Sequence, residues 1–169
     1  FTTLNTFPEV EVAAAFAHRR VSIRSERGVA YVDAALVSSG FFRALGIRML
    51  TGSPPSEDVS TSGTRTVALG RRRASSLLGN QASWIGASVS INGSAFRVTG
   101  VVDDDLNGID MSRPCDVFLP IEAVTIAYRS IASSASGVGF LPDLPWLSVV
   151  VRIRPGSGAK RVAEGMTRT

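Results

Sequence analysis

The sequence predicts an α+β domain, and three local patterns lead to that prediction. Short runs of β-branched and aromatic residues alternate with turn residues, as in strands that are joined by hairpins. Two short helix-like segments each follow a predicted strand, and they end at Gly46 and Gly79. Asn92-Gly93 lies between two alternating runs and is the strongest turn signal in the chain. Strands and helices are therefore mixed and mostly hairpin-connected, which is typical of the α+β class.

The first part of the chain is predicted to form two neighbouring strands and a helix. Glu9–Arg24 alternates weakly in polarity, and after a turn Val29–Val37 is rich in β-branched and aromatic residues. A short helix over Phe41–Leu45 follows, for which Ser38 and Ser39 are the candidate N-caps. We expect Phe41 and Phe42 to pack this helix on the sheet, since burying one large apolar side chain stabilises a fold by about 1.5 to 3 kcal/mol.

The middle of the chain begins with the clearest loop and contains the clearest hairpin. Gly52–Thr64 is polar and contains two prolines, so it is predicted to be a surface loop. A strand over Thr66–Leu69 and a helix over Arg71–Leu78 follow. Val89–Val102 is predicted to be a hairpin, because Asn92-Gly93 supplies the two positive φ angles of a type I′ turn.

The last part of the chain is predicted to alternate between strands and helices. A short strand over Val117–Leu119 precedes a helix over Ile121–Ile131. Ala132–Pro145 carries Ser, Gly and Pro and is predicted to be a second long loop. Ser148–Arg154 is rich in valine and predicts a strand, and Ala159–Met166 predicts a closing helix.

The composition is that of a soluble globular domain. The chain has 169 residues, of which 44% are hydrophobic and 19% are charged, enough for one domain or for two small lobes that share a core. The longest apolar runs, such as Val29–Val37 and Leu147–Val151, are shorter than the roughly 20 residues that span a bilayer. The chain begins at Phe1 without an initiator Met and stops at Thr169 inside a helix-like segment, so we expect it to be part of a longer protein.

No set of residues in the sequence is suited to catalysis or to metal binding. A hydrolytic triad would need the single histidine, His18, but no Gly-x-Ser-x-Gly turn is present, and the single cysteine, Cys115, enters a predicted strand. One His and one Cys are too few for a closed zinc site. The acidic segment is spaced unlike a calcium-binding loop, and its oxygen-bearing residues are Asp103, Asp104, Asp105, Asn107, Asp110 and Asp116. We therefore predict no catalytic, cofactor-binding or metal-binding residues.

Nucleotide and nucleic-acid binding are not predicted either. Gly70–Ser75 lacks the Gly-Lys-Ser/Thr ending of a phosphate-binding loop, so any ATPase would belong to another domain or chain. The net charge of +4 comes from arginines spread along the sequence, with one cluster at Arg71–Arg73. A nucleic-acid site would need a basic stripe with interleaved aromatic residues, so we interpret this cluster as a solvated helix start.

An ordered series of motifs resembles one protein family. The series consists of Val37–Ile47, Leu50–Gly52, Thr66–Gly79, Trp84–Gly93, Phe96–Val101, Asp116–Pro120 and Val149–Gly156. In content and order it resembles the extracytoplasmic domain of MacB/FtsX-type ABC transporter permeases, a group that includes the LolC/LolE permeases. Ser53 and the run Asp103–Asp105 depart from the family pattern and put close functional equivalence to a macrolide exporter in doubt.

The resemblance implies an architecture and a role. It implies a two-lobed periplasmic domain, with a porter-like lobe built from residues 1–52 and 146–169 and an inserted Sabre-like lobe over residues 53–145. It also implies an extracytoplasmic position in an inner-membrane protein, where the domain transmits ATP-driven movement to substrate export or to a partner without catalysis. The implied partners are the parent's own transmembrane helices, a nucleotide-binding domain, a periplasmic protein and a second copy in a homodimer.

The loop before the last strand holds the candidate partner-binding residues. Leu141, Leu144 and Trp146 combine apolar side chains with neighbouring prolines, a composition suited to an anchor on a partner protein. The alternative is that Trp146 covers the core at the entrance of a strand.

Two other functions are compatible with the residues. One is a small soluble hydrolase or ligand-binding domain, which would require polar groups that converge in a pocket. The other is a lipoprotein-handling domain of the LolC/LolE kind. Chain ends that lie side by side would favour the permease, whereas ends on opposite faces together with a deep polar pocket would contradict it.

Overall fold

The computed structural model describes residues 7–56, 65–80, 82–103, 115–123 and 147–157. These residues form eight strands, two α-helices and one 3₁₀ turn over Ile121–Ala123. In chain order the elements are β1 (Val10–Ser25), β2 (Gly28–Val37), α1 (Phe41–Leu45), β3 (Met49–Gly52), β4 (Arg65–Gly70), α2 (Arg71–Leu78), β5 (Ser88–Ile91), β6 (Ser94–Val102), β7 (Val117–Pro120) and β8 (Ser148–Ile153).

The strands form one mixed sheet whose pairings close on themselves. The order β2-β7-β4-β6-β5-β1 returns to β2, because β1 pairs with both β5 and β2. The β2–β7 and β4–β6 pairs are parallel, and the other pairs of this ring are antiparallel. Two strands lie outside the ring: β3 pairs with β6, and β8 pairs with β1. We call the ring the barrel.

The long strand β1 joins the barrel to β8. It has 16 residues, which corresponds to roughly 50 Å of extended chain. Residues Val10–Phe16 pair with β8, and Phe16–Ser25 pair with β2. A change of register between Val10 and Val12 marks a bulge near the start of the strand.

The barrel encloses the main hydrophobic core. Inward-pointing residues alternate along the barrel strands, as the twofold periodicity of a strand requires, except in β6, where an irregular register with β4 lets Val98 and Val101 both point inward. The largest fully buried side chains in this cluster are Ile23, Leu36, Leu69, Ile91, Phe96 and Leu119. Helix α2 adds Ala74 and Leu77 to the same cluster, so it packs on the barrel rather than standing apart.

A second cluster lies on the outside of the sheet, under α1. Phe41 and Phe42 of this helix are buried, and both rings contact Phe118 of β7 at centroid distances of 6.3 and 5.4 Å. Phe16 of β1 packs on Phe41 at 5.8 Å. The two-Phe helix therefore covers the outer face where β1, β2 and β7 meet.

The structure confirms the α+β class and most of the predicted turns. Asn92 and Gly93 have φ angles of 47° and 81°, as a type I′ turn requires. Gly46 ends α1 in the left-handed conformation, at φ 69°. Strand β3 was not among the predicted elements.

The predicted N-cap of α1 is wrong. Gly40, not Ser38 or Ser39, is the cap residue, and no side chain caps the helix. Ser38 is buried, and its Oγ accepts a hydrogen bond from the backbone N–H of Ala15 at 3.0 Å. The hydroxyl therefore fastens the helix entrance to β1, and it is not available for capping.

Several predictions fall wholly or partly outside the described residues. They are most of the helix Ile121–Ile131, the loop Ala132–Pro145 and the helix Ala159–Met166. The described sheet contains strands from both predicted lobes, and the division at residues 52 and 146 stays a prediction. Neither α-helix of the described ranges is long and apolar enough to cross a membrane.

Candidate coupling site at the β1–β8 pair

The start of β1 and the end of β8 lie side by side. The two strands are antiparallel, with Val10 opposite Ile153 and Phe16 opposite Ser148. The pairing continues one step beyond the strands, because the N–H of Arg154 donates to the carbonyl oxygen of Glu9 at 2.9 Å. The chain therefore enters and leaves the described fold at one place. We call the β1–β8 pair over Val10–Phe16 and Ser148–Ile153 the stem.

A small apolar cluster stabilises the stem. Val10 and Ala13 are buried against Phe7 and against Val151 and Ile153 of β8. The bulge near the start of β1 allows Val10 and Ala13 to share a face although they are three residues apart. The stem thus has its own apolar contacts, separate from the barrel interior.

Two arginines, one in β8 and one directly after it, donate hydrogen bonds from their side chains to backbone carbonyl oxygens. The Nε of Arg152 donates to the carbonyl oxygen of Ala44 at 3.0 Å, at the end of α1. Carbonyls at the end of a helix lack intrahelical partners, so a guanidinium there satisfies a group that would otherwise need water. The Nε of Arg154 lies 3.4 Å from the carbonyl oxygen of Val10. Helix α1 is thereby attached to the stem as well as to the sheet.

The stem is continuous with the barrel through β1. From Phe16 onward the same strand forms ten register pairs with β2, ending at Ser25 opposite Gly28. Near its end, Ile23 and Arg24 also pair with β5. A displacement of the first residues of β1 would therefore reach two other barrel strands through backbone hydrogen bonds.

The structure does not assemble the single histidine and the single cysteine into a reactive site. Both ring nitrogens of His18 are buried and have no hydrogen-bond partner among the described residues, and the ring packs edge-on against Phe16 at 5.8 Å. Cys115 is buried with its Sγ 3.2 Å from the carbonyl oxygen of Val117. Burial raises the pKa of Cys115 to about 12, so the nucleophilic thiolate is disfavoured at neutral pH.

Asp103 and Asp116, the described residues of the acidic segment, form ion pairs with α2. Arg73 pairs with Asp116 at 2.9 Å, and Arg71 lies 3.8 Å from Asp103. The cluster Arg71–Arg73 lies at the start of α2 as predicted, with Arg71 and Arg72 exposed, and these ion pairs, which were not predicted, attach it to residues beside β6 and β7. Within the described ranges, no three His, Cys, Asp or Glu residues are close enough to hold a metal ion. Asp104, Asp105, Asn107 and Asp110 lie outside those ranges.

The predicted partner-binding residues Leu141, Leu144 and Trp146 also lie outside the described residues. The next described residue, Leu147, is 39% exposed, and Val149 of β8 is 41% exposed. The fastening role of Arg152 was not predicted from the sequence. An arginine inside a valine-rich strand is a weak signal for it, because such a residue needs a partner or solvent.

The whole sequence matches one protein family. The family model of the MacB-like periplasmic core domain matches residues 2–169. No curated protein matches the sequence.

Solved structures with a similar fold come from transporters. The periplasmic region of MacB from Actinobacillus actinomycetemcomitans superposes with a TM-score of 0.69 at 15% identity, covering 99% of this chain and 69% of that one. The extracellular domain of the noncanonic ABC-type transporter YknZ from Gram-positive bacteria gives 0.65 at 17% identity, with 96% and 74% covered. At these identities the similarity establishes a shared fold.

Proposed function

Because the chain belongs to the family of MacB-like periplasmic core domains, we propose that it transmits movement of membrane helices to substrate export or to a partner protein. Membership makes it the periplasmic domain of a MacB-like ABC transporter permease. The parent protein is therefore embedded in the inner membrane. The transmission of ATP-driven movement is the proposed step.

The observation that carries the proposal is the antiparallel stem. Glu9 and Arg154, near the two ends of the described residues, are joined by a backbone hydrogen bond. Two membrane helices that continue from these points would enter the domain together. Because β1 runs from the stem into the barrel, movement of those helices would displace the domain as a body rather than a single loop.

The proposal needs no catalytic residue in this domain. Cys115 is buried and neutral, and His18 lies against Phe16. Hydrolysis of ATP would take place in a nucleotide-binding domain of the same transporter, and the periplasmic domain would respond mechanically.

We extend the proposal to architecture and partners. The porter-like lobe would comprise residues 1–52 and 146–169, and the inserted lobe residues 53–145. The transporter would work as a homodimer, and a periplasmic protein would contact Leu141, Leu144 and Trp146.

The test measures domain movement in the reconstituted parent transporter. A donor fluorophore is placed at Glu11 in the stem or at Arg97 in the barrel, both of which are exposed. The background carries Cys115→Ser, and acceptor lipids are included in the membrane. We expect energy transfer from both sites to change when ATP is added and to return when ATP is consumed.

A non-hydrolysable ATP analogue serves as the control, and it should hold the protein in one of the two states. If energy transfer from both positions stays constant while ATP is hydrolysed, the domain does not follow the membrane helices, and the transmission proposal is wrong.

A further inference from the structure

The outer face of the barrel that α1 leaves uncovered carries arginines and one exposed tyrosine. The register places Val29 beside Arg24, Arg24 beside Ser90, and Ser90 beside Ala95, so that β2, β1, β5 and β6 form a continuous row. Arg97 lies on the same face of β6, opposite Ser88. The arginine face is defined by Arg20, Arg24, Tyr31 and Arg97, with Val29, Ser88, Ser90 and Ala95 between them.

Except for the half-buried Ser90, the side chains of this face are exposed, and three of them are arginines. Tyr31 is 72% exposed and Val29 is 55% exposed, which is more than any other large apolar side chain of the described residues. The ion pairs Arg71–Asp103 and Arg73–Asp116 do not involve an arginine of this face. The carboxylate at the edge of the face is Asp33, which is opposite Arg20 in the register.

We propose that the arginine face docks a protein partner whose surface presents carboxylates around an apolar notch for Tyr31. Arginine and tyrosine are enriched at the centres of protein interfaces, where they supply most of the binding energy. The backbone here is held by pairing with β2 along β1 and with β5 at Ile23 and Arg24, so the ordering cost of docking falls on side chains and not on the backbone.

The chemistry of the face favours protein over lipid or nucleic acid. Its arginines are separated by short side chains, Ser88, Ser90 and Ala95, and a mixture of Tyr, Ser and Arg is typical of binding surfaces that recognise folded proteins. A nucleic-acid surface would need several stacking aromatic side chains, and the described face offers Tyr31. An anionic membrane would require more apolar side chains beside the arginines for insertion.

The inference goes beyond the coupling proposal and does not depend on it. The stem lies at the start of β1, whereas Arg24 is near the other end of this strand. A partner could therefore dock on the arginine face whether or not the stem transmits movement.

The experiment selects a random peptide library displayed on phage against the 169-residue chain. We expect the selected peptides to combine Asp or Glu with an apolar residue. The best peptide is then synthesised, and its affinity is measured by fluorescence anisotropy at low and at physiological salt. Arg20→Glu together with Arg24→Glu should weaken binding by about tenfold or more, because two attractive charges become repulsive.

Two further variants separate the parts of the proposed contact. Tyr31→Ala should weaken binding while leaving its salt dependence intact, because it removes the apolar anchor and keeps the charges. Reversal of the charge at Arg43 and Arg48, which are exposed but lie outside the face, should leave affinity unchanged. Circular dichroism of each variant excludes unfolding as the cause of a loss.

The proposal is overturned if the selected peptides lack acidic residues or if they bind the charge-reversed variant as well as the original chain. It is also overturned if the chain co-sediments with phosphatidylglycerol vesicles through the same arginines and no acidic peptide is selected, since the face would then recognise lipid. Energy transfer in the reconstituted transporter tests the coupling proposal separately.

Discussion

At the residue scale, the structure gives a reason for two glycines of the motif series, one in Leu50–Gly52 and one in Phe96–Val101. Gly52 of β3 and Gly100 of β6 are opposite each other where the two strands pair. A Cβ on Gly100 would collide with the Met49 side chain and the backbone oxygen of Ser53, and one on Gly52 would collide with the carbonyl oxygen of Thr99. Gly52 was predicted as the start of a surface loop and Gly100 as part of the hairpin, because the sequence does not show which strands meet.

Gly100→Ala should therefore destabilise the domain by about 1 to 3 kcal/mol, the usual cost of forcing extra atoms into a packed site. Urea denaturation followed by circular dichroism measures the change in the free energy of unfolding. Adding Met49→Ala should restore only part of the loss, because the Ser53 oxygen belongs to the backbone and cannot move aside.

Ala95→Ser is the matched control, since Ala95 is on the same strand and exposed. It should change stability by less than about 0.5 kcal/mol. If Gly100→Ala and Ala95→Ser lower the free energy of unfolding equally, the close approach of β3 and β6 does not contribute to stability.

Cys115 gives a prediction that depends on pH. Desolvation raises the pKa of its thiol from 9.0 to about 12, so the folded state holds its proton more tightly than the unfolded state. The contribution of this thiol to the free energy of unfolding is fully present below pH 9. It is lost as pH rises from 9 towards 12, because the thiol ionises first in the unfolded chain. Cys115→Ser should show a smaller fall in unfolding free energy above pH 9 than the original chain.

Thiol labelling checks the same burial independently. At a pH of about 8 an aromatic disulfide reagent should react with Cys115 only as fast as the chain opens, and denaturant should accelerate the reaction. Immediate labelling of the native protein would contradict a buried, protonated thiol.

At the scale of elements, the positions of strands and turns could be predicted from the sequence better than the pairing of the strands. The β5–β6 hairpin could be predicted because its turn and its alternation are local. The structure adds that Asn92 Oδ1 accepts a hydrogen bond from the N–H of Ser22 at 2.9 Å, which attaches the turn to β1. Such a contact between residues 70 positions apart leaves no periodic signal in the sequence.

The closure of the sheet was not predictable for the same reason. It depends on β1 pairing with β5 and on the parallel β2–β7 pair, both of which join distant parts of the chain. The adjacency of the chain ends was predicted only as the arrangement that would favour a permease. It stays a prediction, because residues 1–6 and 158–169 lie outside the described ranges; within those ranges the β1–β8 register places Val10 opposite Ile153.

Substitution of Arg152 tests whether its hydrogen bond to the carbonyl of Ala44 attaches α1 to the stem. Arg152→Met keeps most of the side-chain volume but leaves the carbonyl of Ala44 without its donor, so the variant should lose about 1 to 2 kcal/mol. In this variant the rate of amide hydrogen exchange should increase more in α1 and β8 than in the barrel strands β4 and β6.

Arg152→Lys is the conservative control for that variant. A shorter point charge cannot reproduce the same donor geometry, so Lys should restore stability in part. Uniformly faster exchange over the whole domain in Arg152→Met would show that the contact supports the fold generally and does not join α1 to β8.

At the scale of the whole molecule, the described residues form a closed barrel and the stem. The barrel has a continuous core and resists deformation, since packed interiors are dense and have low compressibility. The stem is held by its own apolar cluster and by backbone pairing. A force applied at the stem should therefore move the barrel without reshaping it.

The most direct test compares flexible with rigid inserts between the membrane segments and the stem. Gly-Ser segments are inserted before β1 and after β8 in the parent transporter, and proline-rich segments of equal length are the matched control. The measurement is the ATP-dependent change in energy transfer from a donor at Arg97 to acceptor lipids. If movement is transmitted through the stem, flexible inserts should abolish this change in energy transfer while ATP hydrolysis continues, and rigid inserts should preserve it. A change of full amplitude with flexible inserts would contradict transmission through the stem.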